Sequence, residues 1–83
     1  MRKEKIQELK NRIEGVKANA ASDKLKFQRI ISYEQNRKNS TTDPSQKISA
    51  SKEIAHKKSE MKRIADTYKR EIESLKASIA NLK

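Results

Sequence analysis

The stretch Asn39-Ser40-Thr41-Thr42-Asp43-Pro44-Ser45-Gln46 divides this 83-residue chain into two halves, and the fold follows from how it is read. Pro44 is the only proline. Its φ is fixed near the helical value, and its missing N–H costs nothing in a first turn, where that donor has no intrahelical acceptor. Asp43 just before it is suited to cap the helix, and Gln46 three residues later completes a capping-box-like pattern. The spacing predicts one helix over about residues 3–39, a turn over about 40–43 and a second helix over about 44–82. So short a turn makes the helices antiparallel neighbours, each about 55 Å long at about 1.5 Å per residue.

Upstream of the break, Ile6, Leu9, Ile13, Val16, Ala20, Phe27 and Ile30 recur in steps of three and four, with Asp23 in one vacant slot. Downstream, the stripe is Ile54, Lys58, Met61, Ala65, Tyr68, Ile72, Leu75, Ile79 and Leu82. Heptads with apolar a and d positions are the pattern of a coiled-coil seam. The expected fold is therefore all-α: two long antiparallel helices forming a coiled-coil hairpin over residues 1–83. Glu8–Arg12, Glu34–Lys38, Glu53–Lys57 and Asp66–Arg70 each set an acid four residues before a base, which supports a helix. Ala18–Asp23 is the weakest helical stretch, and Ser22 offers a new cap if the helix breaks there.

Packing a against d gives one register. Ile6 meets Leu82, Leu9 meets Ile79, Ile13 meets Leu75, Val16 meets Ile72, Ala20 meets Tyr68 and Phe27 meets Met61. Two helices bury only part of such stripes, so self-association into a dimeric four-helix bundle is expected.

The same register organises the charge. The chain carries 21 Lys and Arg against 11 Asp and Glu, a net +10. Lys3, Lys10, Lys17 and Lys24 recur every seventh residue, as do Lys62, Lys69, Lys76 and Lys83. Both sets fall at e positions, so Lys10 is expected near Lys76, Lys17 near Lys69 and Lys24 near Lys62. The acids Glu8, Glu14, Glu53, Glu60, Asp66 and Glu73 fall at b and c positions behind the seam. Like-charge rungs reverse the usual attractive flanking pairs of coiled coils. Such an edge suits a polyanion, above all nucleic acid phosphates, bound without base readout and with strong salt dependence. The bland counterpart is that lysine stems cover the seam while their ammonium groups stay in water. The candidate polyanion contacts are Lys10, Lys17, Lys24, Lys26, Arg29, Lys38, Lys57, Lys58, Lys62, Arg63, Lys69 and Lys76.

The half nearer the turn is the more basic, with eleven bases and four acids over residues 24–63. Its seam contains Asp23, Glu34, Ser51 and Lys58, while Leu25, Ile31, Tyr33 and Ile48 lie off it. Apolar residues outside a polar seam suggest a protein contact; a heptad frame displaced near the turn is the competing reading.

Much chemistry is missing from the sequence. There is no cysteine for a disulfide or a Cys-based zinc site. No Gly-rich phosphate loop, HExxH or nucleophile–base constellation is present, and the lone His56 falls at an outward position. Neither enzymatic activity, a cofactor, a metal nor a small-molecule substrate is expected. No run suits a membrane span, and the opening MRKEKIQELK has no apolar h-region, so a cytoplasmic location is expected.

The leading functional expectation is thus a non-enzymatic coiled-coil module binding nucleic acid. The alternative is a helical adaptor or inhibitor that binds an acidic protein. In length, lack of cysteine and two-helix layout the chain also resembles the exported WXG-type hairpins, which would imply a secretion-associated role. It has no Trp-x-Gly at the turn, and neither Tyr33 nor Tyr68 is followed four residues later by an acid.

Overall fold

Asp43 sets the geometry of the turn. Its backbone is extended, with φ −79° and ψ 116°. Its carboxylate accepts from the Ser45 N–H at 3.0 Å and its carbonyl accepts from the Lys47 N–H at 3.1 Å. Gln46 is exposed and does not return a bond to Asp43. Instead the Asp43 N–H donates to the Thr41 hydroxyl at 3.2 Å, so a threonine upstream replaces the reciprocal half of the expected capping box. The Thr41 N–H in turn donates to the Arg37 carbonyl at 3.2 Å. These bonds satisfy groups that a helix end leaves without intrahelical partners.

The computed structural model describes residues 2–83, and within them α1 (Arg2–Ser40) and α2 (Pro44–Leu82) pack against each other as a hairpin without strands. α1 runs unbroken through Ala18–Asp23. The molecule is a rod, with Cα extents of 64 × 15 × 9 Å. It exposes 6477 Å², against about 5100 Å² for a compact monomer of this mass. Among the described residues, no helix is long and apolar enough to cross a membrane.

Burial concentrates at the two ends of the rod. At the open end Leu9, Ile13 and Ile79 form a cluster, with Ile6, Ile72, Leu75 and Leu82 packed against it. This matches the register that sets Leu9 against Ile79. Near the turn Ile31, Ala50 and Ile54 are buried. Between the ends Ala20, Asp23, Phe27, Met61, Ile64 and Tyr68 are only half-buried.

The inward face departs from the heptad frame as the helices approach the turn. On α1 Ile31 is 8% exposed and Ile30 is 39% exposed, the reverse of the sequence expectation. On α2 Lys57 and Ile64 are half-buried, whereas Lys58 and Ala65 are exposed. Both shifts have one cause. A straight α-helix has 3.6 residues per turn, so its inward direction drifts by about 20° per heptad against a strict seven-residue repeat. From Ile13 to Ile31 the drift reaches about 50°, half of the ~100° between successive residues. On α1 the contact moves to a later residue. On α2, followed backwards from Ile79 towards the turn, it moves to earlier ones. Ile31 is therefore core, not an outward contact residue. Leu25, Tyr33 and Ile48 do remain outside, at 48%, 67% and 57% exposure.

Candidate functional site

The half-buried middle of the rod opens into a groove of about 570 Å³ between residues 20–27 of α1 and 58–76 of α2. Its floor is Ala20, Phe27, Met61, Ile64, Tyr68 and Ile72, with the exposed Ala21 and Ala65 beside them. The drift of α2 carries Ala65 and Lys58 out of the seam, and the small side chains at Ala20, Ala21 and Ala65 leave the space between the helices unfilled. The exposed lysines Lys24, Lys58, Lys62, Lys69 and Lys76 line the same groove. Its two acids are Asp23 and Glu73.

Asp23 has a partner across the seam. The Tyr68 hydroxyl donates to Asp23 Oδ2 at 2.5 Å. This bond to a carboxylate raises the Tyr68 pKa above its ordinary value of 10.0, with desolvation and the charges of Asp23 and Glu71 acting in the same direction. The sequence reading set Asp23 in a vacant seam slot and Tyr68 opposite Ala20, but did not join them. The diagonal step from Asp23 to Tyr68 is one that the long tyrosine side chain spans and a shorter apolar residue would not.

Five of the twelve candidate cations thus gather on one groove, and the rest are dispersed. Lys38 lines a second, more polar cleft with Lys58, Gln35, Asn36 and Asn39. Arg63 lines a third with Asp23, Ile64, Thr67 and Tyr68. Lys10, Lys26 and Arg29 are exposed away from the groove and make no ion pair among the described residues. Lys17 is held by Glu14 at 3.6 Å. Lys57 lies 3.7 Å from both Glu53 and Glu60 and is drawn toward the seam, so it is poorly placed as a free phosphate contact.

The acids also depart from the expected frame. Glu73 lines the groove rather than the back, and Glu60 is half-buried. Glu34 pairs with Arg37 at 2.8 Å instead of with Lys38, because both turn toward the seam near the loop. Among the described residues Asp66 and Arg70 form no ion pair, whereas Glu8–Arg12 and Glu53–Lys57 both close at 3.7 Å.

Among the described residues, no group of three His, Cys, Asp or Glu side chains could hold a metal ion. His56 Nε2 meets Glu60 Oε1 on the same helix. The groove offers apolar contact and positive charge to whatever enters it. No protein-family model matches this chain, and neither a curated protein nor a solved structure matches it.

Proposed function

We propose that this chain is a non-enzymatic interaction module that receives an acidic protein partner along its lysine-lined groove. One observation carries the reading: five lysines surround an apolar floor. Phosphates would engage the ammonium groups and leave the floor in water. A protein surface with apolar residues flanked by Asp or Glu uses both, and the lysines steer its approach.

A second reading, sequence-tolerant nucleic acid binding, is favoured by the unpaired Lys10, Lys26 and Arg29 beyond the groove and by the net +10. Gel shifts with DNA, RNA and heparin at about 50 and 200 mM salt separate the two, since phosphate contacts lose about 10³–10⁵ in affinity over that range when six to ten are made. The acidic-partner reading expects no submicromolar binding of any of the three even at the lower salt. Submicromolar nucleic acid binding at about 50 mM salt that falls steeply by about 200 mM, and is reduced by Gln at Lys24, Lys62 and Lys69, would overturn it in favour of the second.

Self-association belongs to the proposal as well. Leu25, Ile30, Tyr33 and Ile48 are exposed and none lines the groove, so a second copy has apolar surface to cover without occupying it. Sedimentation at micromolar concentration should give a dimer, twice the 9.6 kDa of one chain. A folded monomer at that concentration would remove this part.

A further inference from the structure

The groove has a length and a charge spacing as well as a composition. Its α2 wall runs from Lys58 to Lys76, about 27 Å at 1.5 Å per residue, and its α1 wall from Ala20 to Phe27, about 10 Å, so α2 supplies most of the length. Lys62, Lys69 and Lys76 stand seven residues apart along it, roughly 10.5 Å between neighbours. A cleft between two antiparallel helices, floored by aliphatic and half-buried aromatic side chains, is the seat that a third helix takes in a bundle.

We infer that the groove receives a single amphipathic helix of a partner protein, about five turns long, whose apolar stripe covers Phe27, Met61, Ala65 and Ile72 and whose acids recur every seven residues to meet Lys62, Lys69 and Lys76. The inference rests on the acidic-partner reading above and names the ligand for it. Helix with helix then makes a three-helix bundle in which the flanking charges attract, as they do at the flanks of matched coiled coils. The groove keeps a positive balance, with five lysines against the two acids Asp23 and Glu73, and Asp23 Oδ2 is taken up by the Tyr68 hydroxyl.

Two other occupants fit less well. A second copy of this chain would bring the same lysines and a net +10 of its own to a groove already lined by five lysines. Single-stranded nucleic acid would need open aromatic faces for its bases, and the groove's two aromatics, Phe27 and Tyr68, are half-buried, the second with its hydroxyl engaged.

The test is fluorescence anisotropy with the full chain and three labelled probes. One is a 20-residue helical peptide with Leu or Ile at a and d and Glu at e and g. The second has the same composition scrambled so that no stripe forms. The third is a 20-nucleotide oligothymidylate. The patterned peptide should bind at least tenfold more tightly than the scrambled one. Ala65→Glu, which sets a carboxylate at an exposed position of the groove, should weaken it at least tenfold with the helical circular dichroism unchanged. Unaltered binding to that variant would put the peptide elsewhere and overturn the groove assignment. Equal binding of the two peptides would overturn the helix while leaving an acidic partner in place. Binding of the oligothymidylate alone, or of no probe, would overturn both.

Discussion

At the scale of single residues, two positions decide more than their types suggest. Tyr68 and Asp23 form the one polar side-chain bond across the seam among the described residues. Because the phenol pKa is raised in the folded chain, the native state holds its proton at pH values where the unfolded chain has begun to lose it. The contribution to stability is complete below pH about 10 and is lost as pH rises through the higher folded value. Thermal melts between pH 8 and 11 should show a steeper alkaline decline for the native sequence than for Tyr68→Phe. Identical declines would mean that the bond is not made in solution. Ile31 gives a sharper test of the packing. Ile31→Ala should cost about 2–4 kcal/mol in urea unfolding, as for other buried large-to-small changes. Ile30→Ala should stay within about 1 kcal/mol, as for half-exposed sites. The strict heptad frame predicts the opposite order.

At the scale of elements, the break between the helices was legible because its chemistry is local. Proline fixes its own φ, and an aspartate before it needs only the N–H groups of the next turn. The other half of the cap was not legible, because Thr41 and Gln46 can both bond the Asp43 N–H and only the path of the chain selects one. Asp43→Ala should therefore cost about 1 kcal/mol. Gln46→Ala should change stability by less than about 0.5 kcal/mol, and Thr41→Val should cost more than Gln46→Ala. Chemical denaturation of the three variants ranks them, and a larger loss for Gln46 would restore the capping box. The inward faces show the same division. Their period comes from residue types, but the slow drift between 3.5 and 3.6 residues per turn accumulates over the length of the rod and cannot be read from any one heptad.

At the scale of the whole molecule, charge and shape act together. A rod 64 Å long with a net +10 and five lysines around one groove repels itself. Salt screens such repulsion, with a Debye length near 10 Å at about 0.1 M. The melting temperature should therefore rise between about 0.05 and 0.5 M sodium chloride, where a protein held mainly by exposed ion pairs would lose stability. A fall would show that the ion pairs on the helix surfaces outweigh the repulsion among the groove lysines.

The sequence by itself determined the all-α class, the two helices, the turn and the pairing of Leu9 with Ile79 at the open end. These depend on local propensity and on a period that repeats within a few residues. Only the tertiary structure decided that Ile31 is core, that Tyr68 reaches Asp23, and that Lys24, Lys58, Lys62, Lys69 and Lys76 share an apolar groove. Those arise from the relative rotation of two nearly straight helices, a quantity to which both halves of the chain contribute and which neither half specifies alone.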